Sequence, residues 1–338
     1  MKELPWKENW EPSYRITVGV KPEIDTYTQQ ELSVIPEALQ SRQLQQGVET
    51  KPSYSKFISN LVEDGYNRRG YSFSFDGSNA LSKNGSDSEN STLELWNINQ
   101  EFIDIITNER AVIIIEAGYQ QKVVQFYAGD VVSVKTRKDR EGVVHIIKCA
   151  TNAHAAKNTI VNLNYPEDVS ERDVIIDMAG RFSGTAIGTV GLEDVKDRYR
   201  TGGRTFVGSL VTNFDKIMAK HNLSYSHING KIVIVPYRLK GQDYTNFIKT
   251  NFILPLDAII EIEDTTDKVD TGDKDSNIKL RELTLNTFFL PVEVGQCVTV
   301  PDDDITKEYK GTYMVKANRF ILDTVSNTWV SVLKLESL

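Results

Sequence analysis

The stretch from Thr92 to Ala150 decides the fold prediction for this chain. It reads Thr92-Leu-Glu-Leu-Trp-Asn-Ile-Asn99, a segment from Gln100 to Glu109, Arg110-Ala-Val-Ile-Ile-Ile-Glu-Ala-Gly-Tyr119, Val123-Val-Gln-Phe-Tyr-Ala-Gly-Asp-Val-Val-Ser-Val-Lys135 and Val143-Val-His-Ile-Ile-Lys-Cys-Ala150. The first run alternates, and the later runs are rich in β-branched and aromatic residues, which predicts antiparallel strands joined by turns. Within the segment after Asn99, apolar residues at helical spacing predict one short helix against the sheet.

Three motifs follow one another in this stretch: Leu95-Trp96-Asn97, Ala117-Gly118-Tyr119 and Phe126-Tyr127-Ala128-Gly129-Asp130-Val131. In this order and spacing they resemble the first tube domain of phage tail baseplate hub proteins. That family includes the hubs of contractile tails and the amino-terminal half of type VI secretion spike proteins. The resemblance implies a tube-type antiparallel β-barrel domain over residues 71–150, to which the strand at 14–20 can belong.

The overall composition fits a globular protein and excludes some classes of function. At 338 residues with 40% hydrophobic residues, the chain can form two or three domains. A net charge of −8 argues against a surface that binds duplex nucleic acid, because such surfaces need clustered Lys and Arg. We expect no membrane span and no secretion signal, since no run approaches ~20 apolar residues. Cys149 and Cys297 lie in apolar runs and are expected to be buried thiols.

The first 70 residues carry weaker patterns. Alternation predicts a strand over Tyr14–Val20, and residues 23–53 have the polar composition of an extended arm. Apolar residues at helical spacing predict one short helix, on Phe57, Leu61 and Val62. A strand is predicted at Tyr71–Phe75, followed by a mobile loop from Asp76 to Asn90.

The middle of the chain, residues 151–254, is predicted to be α+β. Ser170 is the expected N-cap of a helix, and Asp173 stands at the capping-box position. A second helix is predicted from Thr205 to His221, because its apolar residues share one face. After it, the dipeptide Asn229-Gly230 predicts a β-hairpin. This order of helix and hairpin resembles the middle domain of the hub proteins.

The last part, residues 255–338, is predicted to be β again. A strand at Ala258–Glu263 and an acidic loop at Asp264–Asn277 come first. Five more strands are predicted, at Lys279–Leu285, Val292–Val300, Gly311–Ala317, Arg319–Asp323 and Thr328–Leu335. Their order resembles the second tube domain of the family. The predicted fold is therefore mainly β, with two tube-type antiparallel β-barrel domains linked by a helix-plus-hairpin domain.

The sequence contains no pattern that predicts a catalytic, cofactor-binding or metal-binding residue. The four histidines lack the spacing of zinc motifs: His145, His154, His221 and His227. His221 fits a cation at a helix end. The glycines between 180 and 191 follow a helix, whereas phosphate loops open one. Asp273, Asp275 and Asn277 imitate a calcium loop, but Ile278 and Thr284 replace its required Gly and Glu.

The resemblance implies a structural baseplate hub and no enzyme. As a homotrimer it would form a ring that adapts the sixfold tail tube to the threefold central spike, through which DNA passes without specific binding. The implied partners are the tail spike protein, a tail tube or tube-initiator protein, baseplate wedge or sheath-proximal proteins, and the tape measure protein. The implied location is the virion tail baseplate, assembled in the host cytoplasm. The alternative is a tail-tip enzyme or glycan-binding module that acts on the host cell envelope.

Overall fold

A computed structural model gives the fold. It describes residues 4, 11–20, 54–65, 71–81, 90–140, 142–151, 159–182, 186–189, 192, 195–199, 202–228, 231–236, 252–266 and 281–338. Within these ranges the strands are β1 Pro12–Val20, β2 Tyr54–Ser59, β3 Phe73–Ala80, β4 Asn90–Trp96, β5 Ala111–Tyr119, β6 Lys122–Asp139, β7 Gly142–Ala150, β8 Ile160–Tyr165, β9 Ala186–Thr189, β10 Arg204–Ser209, β11 Leu223–Ile228, β12 Lys231–Pro236, β13 Phe252–Ile253, β14 Ile259–Asp264, β15 Glu282–Phe288, β16 Cys297–Val300, β17 Gly311–Asp323 and β18 Thr328–Ser337. The helices are α1 Gln100–Ile106, α2 Glu171–Gly180 and α3 Leu210–Lys220, with short 3-10 helices at Val62–Asp64 and Leu256–Ala258.

Thirteen of these strands form one sheet. Its order is β14-β15-β18-β17-β3-β4-β7-β6-β5-β1-β2, and β16 pairs with β17 and carries β13. Strand β3 alternates regularly between buried and half-buried residues, because one face of the sheet packs on the core. Helix α1 lies on that core through Phe102, Ile105 and Ile106, and the Asn99 side chain caps its start by accepting a hydrogen bond from the Phe102 N–H.

The two predicted tube domains share this sheet and part of its core. Strand β3 pairs with β17 from Asp323 opposite Ser74 to Ala317 opposite Ala80. Beneath this joint, the ring of Phe126 lies 5.1 Å from Phe289 and 4.9 Å from Phe320, measured between centroids. The amino-terminal and carboxyl-terminal strands therefore bury their aromatic residues together.

The mainly β class and the antiparallel sheet are confirmed, but the described strands form no closed barrel. Closure of the first barrel would bring the end strands β2 and β3 together. Strand β3 instead uses its second edge for β17, so the strand that could close one half joins it to the other. The domain boundaries at residues 70, 150 and 254 stay a prediction.

The residues from 159 to 236 form an α+β layer with their own core. Strand β8 pairs with β10, and β11, β12 and β9 form a second small sheet. Phe214 of α3 is fully buried, with its ring 5.4 Å from that of Phe182 and 4.8 Å from that of Tyr225. It shares this core with Ile232 and Ile234 of β12, as the sequence predicted.

One helix of this layer begins later than predicted, and the other begins where predicted but without the expected cap. The helix expected from Thr205 starts at Leu210, because residues 204–209 pair with β8 as strand β10. Gly208 has a φ of 99°, which is incompatible with an α-helix. Ser170 precedes α2 as predicted, but its side chain accepts no capping hydrogen bond. The backbone N–H of Glu171 instead donates to the Asp197 carbonyl at 3.0 Å.

Near the amino terminus, the prediction of a helix that includes Phe57 is wrong. Phe57 lies in β2, opposite Thr17 of β1, because pairing with a neighbouring strand overrides the local apolar spacing. Strand β3 continues to Ala80, so the first five residues of the predicted loop, Asp76 to Ala80, belong to the strand instead. The rest of that loop, residues 82–89, and the arm at 23–53 lie outside the described residues.

In the carboxyl-terminal part, the two strands predicted over 311–323 are one strand, β17. A bulge between Val315 and Ala317 interrupts its pairing with β18, whereas Asn318, at the predicted gap, pairs regularly with Leu333. Within the run Val292–Val300, only Cys297–Val300 is strand. The predicted loop residues 267–277 lie outside the described residues.

Candidate assembly surfaces

The main path of the sheet ends at strands β2 and β14, and a short branch through β16 ends at the two-residue strand β13. Among the described strands, β2 pairs only with β1 and β14 only with β15. The outer edge of each strand thus presents backbone N–H and C=O groups that a further strand could pair with. The two edges come from opposite ends of the chain, which makes them chemically different surfaces.

The β14 edge combines acidic and exposed apolar residues. Its outward-facing carboxylates include Glu261, which accepts a hydrogen bond from Asn286 at 3.0 Å, and Glu263. Ile260 is 51% exposed at a register shift between β14 and β15, and Phe288 at the end of β15 is 41% exposed. Two further apolar residues precede β14 and are also exposed: Ile253 and Leu256.

The β2 edge carries an exposed aromatic ring beside a charge network. Phe57 is 42% exposed, and the Arg15 guanidinium carbon lies 6.0 Å from the centroid of its ring. Arg15 donates hydrogen bonds to Asp64 and Glu63 at 2.8 Å. The hydrogen bonds from Arg15 to Asp64 hold the pKa of that carboxyl below its ordinary value. Val62, next to it, is exposed.

The face of the sheet opposite the core is polar and carries both signs of charge. One row of paired residues crosses five strands: Ile321, Asp76, Thr92, Lys148 and Ser133. The next row also crosses five strands: Asp323, Ser74, Glu94, Ile146 and Lys135. Directly paired residues project to the same face, so three carboxylates and two ammonium groups share this surface.

A shallow cleft of about 500 Å³ lies on this polar face at the joint between the two halves. Its lining is polar: Ser74, Asp76, Gly77, Ser78, Thr92, Glu94 and Arg319. The Arg319 guanidinium donates to both oxygens of Asp76, at 2.8 and 2.6 Å. Arg319 therefore occupies both carboxylate oxygens of Asp76, and the described residues that line the cleft include no aromatic ring on which a sugar could stack.

The other residues considered from the sequence lie apart from these surfaces. Trp329 is in the main core, and Trp6 and Trp10 lie outside the described residues. His145 is buried and His227 is half-buried, and the desolvation of each ring lowers its pKa. His221 follows α3 and contacts Glu171. Cys149 and Cys297 are buried free thiols, as predicted.

Sequence reasoning missed the exposed edge residues and one side-chain cluster. Ile260 belongs to an apolar strand pattern, and only the strand order shows that it lies at an edge. Phe288 lies at the end of β15, the strand next to that edge. Within the described ranges, one group of potential metal ligands lies close together: Glu171, Asp197 and His221. The capping pattern involves Ser170 and Asp173 and therefore indicates no role for Glu171.

The fold is similar to that of proteins from phage tails and type VI secretion systems. The tail protein of Neisseria meningitidis MC58 superposes with a TM-score of 0.51 at 13% identity, over 81% of this chain and 94% of that chain. This chain has a fold similar to that of this tail protein. The E. coli c3393 protein, a type VI secretion component with structural similarity to the T4 tail proteins gp27 and gp5, matches with a TM-score of 0.51 at 9% identity, over 79% of this chain and 74% of that chain.

A chain of a PdpA-VgrG complex also has a similar fold. It matches with a TM-score of 0.50 at 10% identity, over 97% of this chain and 65% of that chain. No protein-family model matches the sequence, and no curated protein matches it significantly. The helices that the structure describes are all too short or too polar to cross a membrane.

Proposed function

We propose that this chain is a structural hub protein of a phage tail or a phage-like injection machine, and that three copies form a ring. The observation that carries the proposal is the single sheet whose main strand order ends in two different edges, β2 and β14. The fold supports it, since it is similar to that of proteins whose described roles are in tails and secretion machines. The proposed location is the virion tail baseplate.

Ring closure follows from the difference between the edges. In this proposal the β14 edge of one copy meets the β2 edge of the next, which is a heterologous contact that generates a closed ring when the rotation is right. Each copy contributes two sheet halves, so three copies present six. Such a ring fits between a sixfold tail tube and a threefold spike, and it covers edges that would otherwise promote aggregation.

The polar face of the sheet is the proposed lining of a DNA conduit. Its near balance of acidic and basic groups avoids the basic lining that would hold the phosphate backbone by counterion release. The proposed protein partners are a spike protein on one side of the ring and a tube or tube-initiator protein on the other. Wedge, sheath-proximal and tape measure proteins are further candidates. The enzyme or glycan-binder alternative is not favoured, because the cleft offers neither a free carboxylate pair nor aromatic rings.

The test is the mass of the purified chain at micromolar concentration, measured by light scattering with and without a cognate spike protein. We expect a trimer in at least the second condition. Phe288→Asp at the β14 edge and Phe57→Asp at the β2 edge should each abolish it, because a buried unpaired carboxylate is costly. Val325→Asp, at an exposed turn away from both edges, is the matched control and should leave the trimer intact.

Two results would contradict the proposal. One is a strict monomer in both conditions. The other is an isologous dimer that both edge variants leave unchanged. Either result would favour the alternative function, a tail-tip enzyme or glycan-binding module.

A further inference from the structure

Three segments of the middle part converge on one buried carboxylate. Glu171 is the first residue of α2, His221 follows the last residue of α3, and Asp197 lies in the segment 195–199. This segment runs beside the start of α2, where Ser170 and Arg198 form an isolated β-bridge. Glu171 has only 2% of its side chain exposed and His221 has 9%, whereas Asp197 is exposed.

The side chains at this point form a preorganised set of nitrogen and oxygen donors. The Nε2 atom of His221 lies 2.6 Å from Oε2 of Glu171. The other oxygen of Glu171, Oε1, accepts a hydrogen bond from the Lys220 ammonium at 2.5 Å. The potential ligand atoms of Glu171, Asp197 and His221 all lie within 4.8 Å of one another.

We propose that Glu171, Asp197 and His221 bind one Zn²⁺ or a similar first-row divalent cation. An imidazole nitrogen with two carboxylate oxygens is a ligand set that such ions accept, in tetrahedral geometry with bonds near 2.0 to 2.2 Å. That geometry separates neighbouring ligand atoms by roughly 3.3 Å. His221 and Glu171 must therefore move apart slightly, and the exposed Asp197 side chain must approach. A water molecule from the solvent side completes the coordination.

Lys220 fits this arrangement as a partner of the ligand. While its ammonium holds Oε1, Glu171 binds the cation through Oε2 alone, and outer hydrogen bonds of this kind orient metal-ligating carboxylates. The ammonium of Lys220 also lies 5.6 Å from the centre of the Tyr199 ring, which keeps it to one side of the site. With the His221 imidazole neutral, as a metal ligand must be, two carboxylates against one ammonium leave a net negative charge, which attracts a cation to the exposed side of the cluster.

The site would join α2, α3 and the 195–199 segment through a single ion. Glu171 contacts Lys220 and His221 even without a metal ion. The structural role of these contacts must therefore be told apart from metal binding. Asp197 makes that possible, because it is exposed and belongs to the proposed metal site but not to these ion pairs.

The test is isothermal titration of the full, chelator-treated protein with Zn²⁺, with Mg²⁺ as the comparison ion. We expect one Zn²⁺ per chain with micromolar or tighter affinity, and weaker binding of Mg²⁺, which prefers all-oxygen sites. Asp197→Asn should weaken Zn²⁺ binding at least about tenfold, and His221→Ala should abolish it. Asp173→Asn is the matched control, because Asp173 carries an exposed carboxylate on α2, the helix of Glu171. This variant should bind Zn²⁺ like the parent protein.

The thermal unfolding of the metal-free variants makes the result interpretable. Asp197→Asn should unfold at the parent temperature without Zn²⁺ and show a smaller upward shift when Zn²⁺ is added. Absence of saturable Zn²⁺ binding by the parent protein would overturn the proposal. Equal affinities of Asp197→Asn and Asp173→Asn would also overturn it, since Asp197 would then not be a ligand.

Discussion

The main sheet and the middle part of this protein bury their apolar residues in different ways. The main core combines residues from Tyr14 to Trp329, so strands distant in sequence pack on one another. The middle core lies entirely between Val161 and Ile234, and its helices and hairpins are neighbours along the chain. The difference predicts that damage to the main core affects both ends of the chain together, whereas damage to the middle core acts mainly within the middle part, although Val235 of β12 packs against Cys297 and Met314 of the main sheet.

Phe126→Ala tests the shared core and should have the largest effect. Its ring contacts Phe289 and Phe320 from the other half, and truncation of a buried Phe costs about 3 to 5 kcal/mol. We expect amide exchange to accelerate together in β5 and β18. Protection lost on only one side would show that the halves fold independently.

Phe214→Ala tests the middle core. We again expect a cost of about 3 to 5 kcal/mol, but with faster exchange confined to α2, α3 and β11. Lys216→Ala, at an exposed position on the same helix, is the control. A loss below half a kcal/mol, or exchange that spreads into the main sheet, would contradict the separation of the two cores.

His227 should make the middle part sensitive to acid. Burial among aromatic rings lowers its pKa to about 4, against 6.5 for the exposed group. The unfolded chain therefore binds a proton that the folded chain does not, and the stabilisation present above pH 6.5 is lost as pH falls towards 4. The loss is on the order of 3 kcal/mol.

Urea unfolding followed by middle-part probes between pH 4 and 7 measures this effect. His227→Gln should flatten the pH dependence in this window, because no titrating ring remains. An unchanged slope in the variant would mean that other groups cause the acid sensitivity.

Arg319→Ala at the joint should have the smallest effect. Its bidentate pair with Asp76 links β17 and β3, but both side chains are about half exposed, so water screens the interaction. We expect a loss of at most about 1 kcal/mol. A cost several times larger would show that the ion pair, and not the aromatic core beneath it, holds the two halves together.

Sequence patterns located most elements of the fold, since alternation and helical spacing are local properties. They missed the start of α3, because Phe206 fits the spacing of the helix face although it belongs to β10. The glycine at 208 marks this boundary, and Gly203 is a second signal, since a side chain there would meet the Tyr165 carbonyl at 2.3 Å. The local sequence pattern does not show which strand lies next to the segment that carries these glycines.

The features of the candidate surfaces were less predictable for the same reason. The pairing of β3 with β17 joins residues about 240 positions apart, and no periodicity encodes which strands become neighbours. When that pairing is not known, the same sequence fits either two closed barrels or one open sheet. The edges β2 and β14, and hence the exposure of Phe57 and Ile260, depend on this long-range choice.

Cross-linking between the two edges tests the central claim most directly. Phe57→Cys and Ile260→Cys, combined in one chain, place reactive thiols at β2 and β14, while the native thiols of Cys149 and Cys297 are buried. With a bifunctional maleimide reagent, a heterologous ring predicts covalent products that end at three chains. Each single variant should remain uncross-linked. Dimers from either single variant, or a ladder that continues beyond three chains, would contradict a closed trimeric ring.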